Sequence, residues 1–237
     1  MIEELIVEQG SPEWLQARRG LVTCSRFGSV LGTVTEKNRY LKELRSPPAS
    51  FTSKPTEWGK SYEKEALAQY MIATGHKVTS AGLLLSKETP GVGGSPDGLI
   101  LLSSAKYDTE NLNDPIGRRL RYEDGQIVGG VEIKCPYDPD IHQHHIRYGL
   151  PQKYFWQIHG YIWLTGAAWW DFVSYDPRVG GSGSLFYQRI HREGRNVRIL
   201  SVAIDEFVHV LNCDSWFGSP TARAALMSGE VETFLKK

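Results

Sequence analysis

Residues 151–164, PQKYFWQIHGYIWL, constrain the fold of this chain more than any other segment. The segment has the length of a helix, and its aromatic and aliphatic side chains fall on almost every side of that helix. A helix that is apolar nearly all round has to be buried, so other elements must pack around it. The chain has 237 residues, of which 41% are hydrophobic, and this is enough to supply those surrounding layers.

Short apolar runs bounded by Gly, Pro or Ser predict the strands. Residues 169–175 and 185–190 are two such runs separated by a Gly/Ser loop, and they predict a strand pair. Helices and strands that follow one another in this chain favour an α/β sandwich around a mixed sheet. The other predicted strands cover residues 77–85, 98–102 and 130–135.

Capping residues mark the helix boundaries. Residues 57–74 have a helical pattern, and Gly75 follows them as a C-terminal cap. Ser11 and Pro12 start a short helix. We expect one domain over residues 1–237. The other predicted elements are a helix that Ser25 could cap, a loop over residues 46–56, a helix over residues 197–211 and a short helix from Ser219.

The composition excludes some classes of protein but does not assign a function. No apolar run reaches the roughly eighteen residues that a membrane span needs, and MIEELIVEQG lacks the basic and apolar regions of a secretory leader. The three scattered cysteines favour a reduced, cytoplasmic setting. The formal net charge is +0, whereas nucleic-acid binders are usually basic. Any DNA-binding surface therefore requires positive charge to be segregated onto one face.

Two segments carry candidate chemistry: Ser95-Pro96-Asp97-Gly98 and Val131-Glu132-Ile133-Lys134. Glu132 and Lys134 are two positions apart on a predicted strand, so their side chains leave the same face. Asp97 at a strand start can join them. Two carboxylates suit Mg²⁺, and a lysine can orient or deprotonate an attacking water if burial depresses its pKa. Each piece has an ordinary alternative, a Pro-Asp-Gly turn and a solvated Glu-x-Lys face. The apolar and glycine neighbours in GGVEIKCP favour an interior strand.

The same residues carry a resemblance to a known family. Asp97 with Glu132-Ile133-Lys134 matches the PD-(D/E)xK nuclease signature. Further blocks within residues 8–178 resemble those of the phage lambda exonuclease and YqaJ-like viral recombinase nucleases. The blocks follow one another in the same order as in that family. These blocks are EQGSPEWLQARRGLVTCS, EWGKSYEKEA, GGSPDGL, VEIKCP, and YFWQIHGYIWLTG followed by SYDPR. The resemblance implies a restriction-endonuclease-like core, in which a central mixed β-sheet is flanked by helices.

The resemblance also implies an activity and partners. We expect a Mg²⁺-dependent exonuclease, with two ions and Mn²⁺ as a substitute, that degrades one strand of duplex DNA 5′→3′ to mononucleotides. The resemblance implies a homotrimeric ring that acts at DNA ends, with a single-strand annealing protein as its partner. It also implies that the protein works in the cytoplasm of a bacterial host or is encoded by a prophage. A ring would reconcile the neutral chain with DNA binding, because only its channel needs to be positive.

Metal-site and supporting residues follow from the matched positions. Asp97, Glu132 and the Ile133 backbone carbonyl are expected to bind the metal. Glu63, close to the apolar stripe of its helix, is a further acidic residue of the site, or else an ordinary glutamate of the helix's first turn. Gln157 lies deep in the aromatic helix and either helps to hold the site or is a core glutamine bonded to backbone.

A 5′-phosphate pocket is implied at Arg18, Ser25 and Ser95. A guanidinium binds phosphate in a bidentate manner, and hydroxyl groups add donors. The alternatives are a plain surface arginine at position 18 and a plain helix cap at Ser25. The register of Trp14, Gly20 and Ser25 favours Arg18 over the adjacent Arg19.

Two other metal chemistries are disfavoured. His142, His144 and His145, with His159, lack the helical pair with an intervening glutamate that zinc peptidases use, and we interpret HQHH as a solvated loop. An iron–sulfur nuclease would need four cysteines, and the chain has three.

One departure from the family pattern concerns the connection between Asp97 and Glu132, which is a short hairpin in the family. Residues 103–129 are therefore expected to be an insertion at the hairpin tip, where insertions are tolerated. Two other functions stay open: an endonuclease of the same fold that recognises a sequence or a junction, and a non-catalytic DNA-binding accessory protein of recombination.

Overall fold

The described part of the chain forms two mixed sheets, seven α-helices and two short 3-10 helices. A computed structural model describes residues 2–46, 53–102 and 118–213. In these ranges no helix is both long and apolar enough to cross a membrane. The predicted helix from Ser219 lies outside the described residues, as does most of the predicted loop over residues 46–56.

The first sheet has five strands in the order β2-β4-β3-β1-β6. Only β2 and β4 run parallel, and the other neighbours are antiparallel. Strand β1 was not predicted, because two consecutive glutamates interrupt the apolar residues of IEELI. Glu4 is nevertheless buried, and it accepts hydrogen bonds from the Tyr122 hydroxyl and the Gly82 N–H. The strands are β1 (Ile2–Ile6), β2 (Val22–Thr23), β3 (Leu83–Ser86), β4 (Val92–Gly94) and β6 (Arg118–Tyr122).

The second sheet has four strands in the order β5-β7-β8-β9. Its inner pair, β7 and β8, is parallel, while β5 and β9 lie antiparallel at the edges. The strand pair predicted over residues 169–175 and 185–190 is confirmed as β8 and β9. The strands are β5 (Gly98–Leu101), β7 (Ile127–Lys134), β8 (Trp169–Tyr175) and β9 (Leu185–His191).

The aromatic helix is α6, and it is buried as predicted. All residues from Gln157 to Ile162 are buried. Tyr161 stacks on Trp170 of β8 with ring centroids 5.0 Å apart. Gly160 lets the helix approach α2, since a Cβ there would lie 2.6 Å from Phe27 Cδ2. The helices are α1 (Pro12–Ala17), α2 (Phe27–Val30), α3 (Val34–Arg45), α4 (Lys54–Thr74), α5 (Pro139–Tyr148), α6 (Gln152–Thr165) and α7 (Gly194–Asn212).

One hydrophobic cluster joins the two sheets through α6. It contains Leu84 and Val92 from the first sheet, Leu99 and Phe172 from the second, and Ile158 from α6. The predicted α/β fold, with a mixed sheet flanked by helices, is confirmed, and the structure adds a second sheet that the sequence did not indicate.

The connection between β5 and β7 contains structure that the sequence did not predict. Residues 103–117 lie outside the described range. The chain then forms β6, which pairs with β1 in the first sheet, and β7 already begins at Ile127. The two strands that carry Asp97 and Glu132 are nevertheless antiparallel neighbours, with Gly98 opposite Val131. The hairpin relationship is thus kept although its connection contributes a strand to another sheet.

Candidate active site

Asp97, Glu132 and Lys134 lie together at the meeting point of β5 and β7. The pairing of Gly98 with Val131 places Asp97 beside the end of β7, where Asp97 Oδ2 accepts a 2.6 Å hydrogen bond from the Ile133 N–H. Glu132 and Lys134 leave the same face of β7, and their side chains form an ion pair. Ile133 is buried on the opposite face. The convergence predicted from the two sequence segments is therefore present.

The glycines of GGVEIK allow this strand to lie in the interior. A Cβ at Gly130 would lie 2.3 Å from Trp170 Cζ2, and one at Gly98 would lie 2.2 Å from Val78 Cγ1. Real side chains do not approach so closely, so both positions require glycine for packing. The interior interpretation of this strand is confirmed, and Glu132 is only 3% exposed.

The two oxygens of Glu132 have different surroundings. Oε1 accepts hydrogen bonds from Lys134 Nζ and, at 2.6 Å, from Gln157 Nε2. Oε2 is buried and has no hydrogen-bond partner among the described residues. A buried carboxylate oxygen without a partner carries a large desolvation cost. The arrangement therefore fixes one oxygen and leaves the other available to a cation.

Burial and mutual repulsion perturb the carboxyl groups. The pKa of Asp97 is raised well above its ordinary value, first by burial and then by the charge of Glu132. The pKa of Glu63 is raised for the same two reasons. Acids held in this state are typical of sites that bind a metal or exchange protons. A divalent cation between them would relieve the repulsion.

The condition under which Lys134 could deprotonate water, a pKa depressed by burial, is not met among the described residues. Burial alone lowers it, but the adjacent charges of Glu132 and Asp97 outweigh that effect and raise the pKa above its ordinary value. Lys134 therefore carries its proton at neutral pH. In that form it can orient water or neutralise a phosphate oxygen.

The donor chemistry fits Mg²⁺, which takes oxygen ligands and keeps several of its waters. In the described ranges no three His, Cys, Asp or Glu side chains form a cluster that could hold a metal ion by themselves. The predicted set differs from such a cluster because it combines two carboxylates, Asp97 and Glu132, with the Ile133 carbonyl. The unpartnered Glu132 Oε2 is the observation that favours a cation here.

Glu63 and Gln157 both lie at this site. Glu63 is in the third turn of α4, which begins at Lys54, so it is not the first-turn glutamate of the alternative interpretation. It lines the same cavity as Asp97 and Glu132. Gln157 donates to the Glu132 side chain and not to backbone, which favours its role in holding the site.

Arg18, Ser25 and Ser95 form a cluster of donors next to the carboxylates. Arg18 donates through Nη2 to Ser25 Oγ at 3.0 Å and to Thr23 Oγ1 at 3.4 Å, and its guanidinium lies 4.7 Å from the centre of the Trp14 ring. Arg18 Nε is buried without a partner in the described structure. Ser25 caps no helix, since the residue before α2 is Arg26. The neighbouring Arg19 is exposed and does not line the cavity.

Three further residues, Trp14, Thr23 and Tyr161, contact this region and were not predicted from the sequence to belong to it. Trp14 Nε1 donates to Ser95 Oγ at 2.8 Å. Thr23 Oγ1 and Ser25 Oγ are 3.2 Å apart, where the strand Val22–Thr23 passes into a 3-10 helix over Cys24–Arg26. The Tyr161 hydroxyl donates to the Ser95 carbonyl at 3.1 Å, a contact between distant segments that leaves no local pattern.

All the residues predicted from the sequence to belong to the site share one cavity of about 230 Å³. The donor cluster and the acidic residues with Lys134 all line it, and so do Gln9 and Gly94. The members are Arg18, Ser25, Glu63, Ser95, Asp97, Glu132, Ile133, Lys134 and Gln157, together with the missed Trp14, Thr23 and Tyr161.

The interpretation of HQHH as a solvated loop is wrong, because it forms the middle of α5 and two of its histidines are buried. His142 and His145 each contact Ser174 Oγ of β8 through Nδ1 at 2.8 Å. His142 Nε2 also bonds to the Gly183 carbonyl at 2.9 Å, so it must donate there. These contacts attach α5 to β8 beside Lys134, the residue paired with Ser174 in the sheet.

The SYDPR block continues this support. The buried Asp176 forms an ion pair with Arg178 at 2.7 Å. The Arg178 guanidinium also lies 4.4 Å from the centre of the Trp58 ring on α4 and donates to the Pro136 carbonyl. The block therefore connects the end of β7 to α4, the helix that carries Glu63.

This fold, with the Asp97 and Glu132-Ile133-Lys134 signature at adjoining strands, is a nuclease fold of the PD-(D/E)xK type. Residues 13–168 match the model of the YqaJ-like viral recombinase domain, and the chain belongs to that family. No curated protein matches the chain.

Solved structures support the same assignment. A crystal structure of an alkaline exonuclease (LHK-Exo) from Laribacter hongkongensis is similar with a TM-score of 0.69 and 27% identity, covering 96% of this chain and 100% of that chain. A structure of LHK-Exo in complex with dAMP is similar with the same TM-score, identity and coverage.

Proposed function

We propose that this chain is a Mg²⁺-dependent exodeoxyribonuclease that degrades one strand of linear duplex DNA 5′→3′ to mononucleotides. The observation that carries the proposal is that the donor cluster around Arg18 and the carboxylates Asp97 and Glu132 line a single cavity of about 230 Å³. The donor cluster would bind the terminal 5′-phosphate, and the carboxylates would lie at the scissile phosphate. These two phosphates would belong to neighbouring nucleotides of one strand. The relative LHK-Exo is an alkaline exonuclease that has been crystallised with dAMP, a nucleoside monophosphate.

Asp97, Glu132 and the Ile133 carbonyl would hold Mg²⁺, with room for a second ion and for Mn²⁺ as a substitute. The metal would activate water and neutralise charge in the transition state. Lys134, protonated, orients the water and faces the phosphate. Gln157 and Lys134 fix one oxygen of Glu132, and Glu63 adds a further carboxylate.

Arg18, Ser25 and Ser95 bind the 5′-phosphate in this proposal. Trp14 and Thr23 pre-organise that pocket, since both hold its donors in place through the hydrogen bonds described above. Because this pocket binds the terminal 5′-phosphate, cleavage occurs one nucleotide from the 5′ end of the strand. Ser95 precedes Asp97 by two residues, so the phosphate pocket and the metal site are coupled through one short segment.

The assembly belongs to the same proposal. With a net charge of +0, the chain has little long-range attraction for DNA. A homotrimeric ring that gathers the positive charge in a channel would provide it, and a single-strand annealing protein would receive the exposed strand. We place this activity in the cytoplasm of a bacterial host, in phage-type recombination by strand annealing.

The test is digestion of linear duplex DNA with 5′-phosphate or 5′-hydroxyl ends in Mg²⁺, with the products sized. We expect mononucleotides, released faster from the phosphorylated end, and none from folded Lys134→Ala protein. Circular DNA cut as fast as linear DNA would favour an endonuclease. DNA binding without any hydrolysis would favour a non-catalytic accessory protein of recombination.

A further inference from the structure

A second and larger cavity adjoins the candidate active site and has no role in the proposed reaction so far. This groove has a volume of about 550 Å³ and shares only Glu63, Ile133 and Lys134 with the smaller cavity. No residue of the donor cluster around Arg18 lines it. The two cavities therefore meet at the position where the phosphodiester bond would be cut.

The charge of the groove suits a polyanion. Lys60 on α4 and Lys153 on α6 line it together with Lys134, against two carboxylates, Glu63 and Asp138. The Asp138 side chain is already engaged, since it accepts from the Asp140 N–H as the N-terminal cap of α5. Among the described residues neither Lys60 nor Lys153 forms an ion pair, and both are exposed. In a chain of zero net charge, this is a local excess of unpaired cations.

The groove also offers a surface for nucleobases. Tyr137 is 47% exposed, although its ring is held at a centroid distance of 5.9 Å, edge to face, against Trp58. Ile141 lines the same groove and is 37% exposed. Aromatic rings next to lysines are the usual combination for binding a single nucleic-acid strand, because bases stack while cations contact phosphates.

The positions of the smaller cavity and the groove indicate the 5′-to-3′ path of the scissile strand. In the proposed binding mode, a strand with its 5′-phosphate at Arg18 and its first internal phosphate at Asp97 and Glu132 continues past Lys134, which lines both cavities. The groove opens at that point. We propose that this groove binds the scissile strand on the 3′ side of the cleavage site, with Lys60 and Lys153 contacting successive phosphates and Tyr137 contacting a base. The inference rests on the proposed exonuclease function.

The experiment measures release of the first mononucleotide from a 5′-phosphorylated duplex by the full chain. Its variants are Lys60→Ala, Lys153→Ala and the double variant, with Lys87→Ala as the matched control, since Lys87 is an exposed lysine that lines neither cavity. We expect KM to rise about 2- to 5-fold per groove lysine, with kcat unchanged. The slope of log KM against log salt should become shallower by about 1 per lysine.

Neutral methylphosphonate linkages identify which strand occupies the groove. Placed at the second to fourth internal phosphates of the scissile strand, beyond the phosphate that is cleaved, they should raise KM for the wild type but not further for the double variant. The same linkages in the complementary strand should have no effect on KM. An effect confined to the complementary strand would overturn the inference, as would groove variants that behave like Lys87→Ala.

Equilibrium binding of the same duplexes in EDTA separates this inference from the proposed function. If the wild type binds in EDTA but releases no nucleotide in Mg²⁺, the exonuclease proposal fails, while the methylphosphonate effect on binding in EDTA still decides the groove. If nucleotides are released normally and the lysine variants bind and cleave as the wild type does, the groove proposal fails alone.

Discussion

Replacing Arg18 with alanine gives the sharpest test of the phosphate pocket. Two kinds of contact fix the Arg18 guanidinium: Nη2 donates hydrogen bonds to Ser25 and Thr23, and the group lies over the Trp14 ring. The buried Nε has no partner in the described structure. A hydrogen bond to a charged group contributes about 1.5–3 kcal/mol. Since 1.36 kcal/mol corresponds to a factor of ten in rate, Arg18→Ala should lower kcat/KM on 5′-phosphorylated ends about 10- to 150-fold.

The assay compares duplexes with 5′-phosphate and 5′-hydroxyl ends, scored by release of the first nucleotide. On the 5′-hydroxyl duplex Arg18→Ala should equal the wild type within roughly two-fold, because the interaction it removes is absent from that substrate. Arg19→Ala is the matched control, an exposed arginine one position away that does not line the cavity. Equal losses on both substrates, or an equal loss in Arg19→Ala, would refute the assignment of Arg18 to the terminal phosphate.

Three further predictions follow from the same structure. Asp97→Asn should abolish cleavage. In EDTA, however, the variant should unfold at a higher temperature than the wild type, as measured by circular dichroism, because it lacks a buried carboxylate that Glu132 repels. An unchanged or lower unfolding temperature would contradict this. Gln157→Leu should reduce kcat about ten-fold with little change in KM, since Glu132 loses one charge-assisted hydrogen bond worth about 1.5 kcal/mol; a change in KM alone would argue for a contact with substrate. Arg178→Ala should lower the free energy of unfolding by about 1–3 kcal/mol, because it leaves the buried Asp176 unpaired. Arg178 lowers the pKa of Asp176 through its hydrogen bonds, so this stabilisation is present above the ordinary aspartate pKa and is lost as the pH falls through the lowered one. Urea titrations at pH 7 and pH 3 check the Arg178 prediction, and an equal difference at both pH values would count against it.

The helix over residues 151–164 and the strand around Glu132 were predictable because their signals are local. A helix that is apolar on every side has only buried solutions, and α6 is buried in the structure. Two residues two positions apart on a strand share a face whatever surrounds them, which fixed Glu132 and Lys134 relative to each other. Strand β1 was not predictable, because its signal is not local. Burial of Glu4 depends on hydrogen bonds from Tyr122 and Gly82, which are distant along the chain.

The histidines show the same limit. HQHH has no signal for burial in its own sequence, and its polar residues are typical of exposed chain. The Ser174 hydroxyl and the Gly183 carbonyl satisfy the ring nitrogens of His142, and Ser174 also meets His145. Partners that lie about thirty or more positions away cannot be recognised from a local pattern, and this is why the loop interpretation was wrong.

The sequence by itself determined which residue types could perform the chemistry, and which of them share a strand or a helix face. The tertiary structure decided how those residues act on one another. It pairs β5 with β7 across a long connection, so that Asp97 meets the Ile133 N–H. It also raises the pKa of Lys134, because the charges of Glu132 and Asp97 outweigh burial. The physical reason is that electrostatic interactions depend on distance through space, whereas the sequence specifies only separation along the chain.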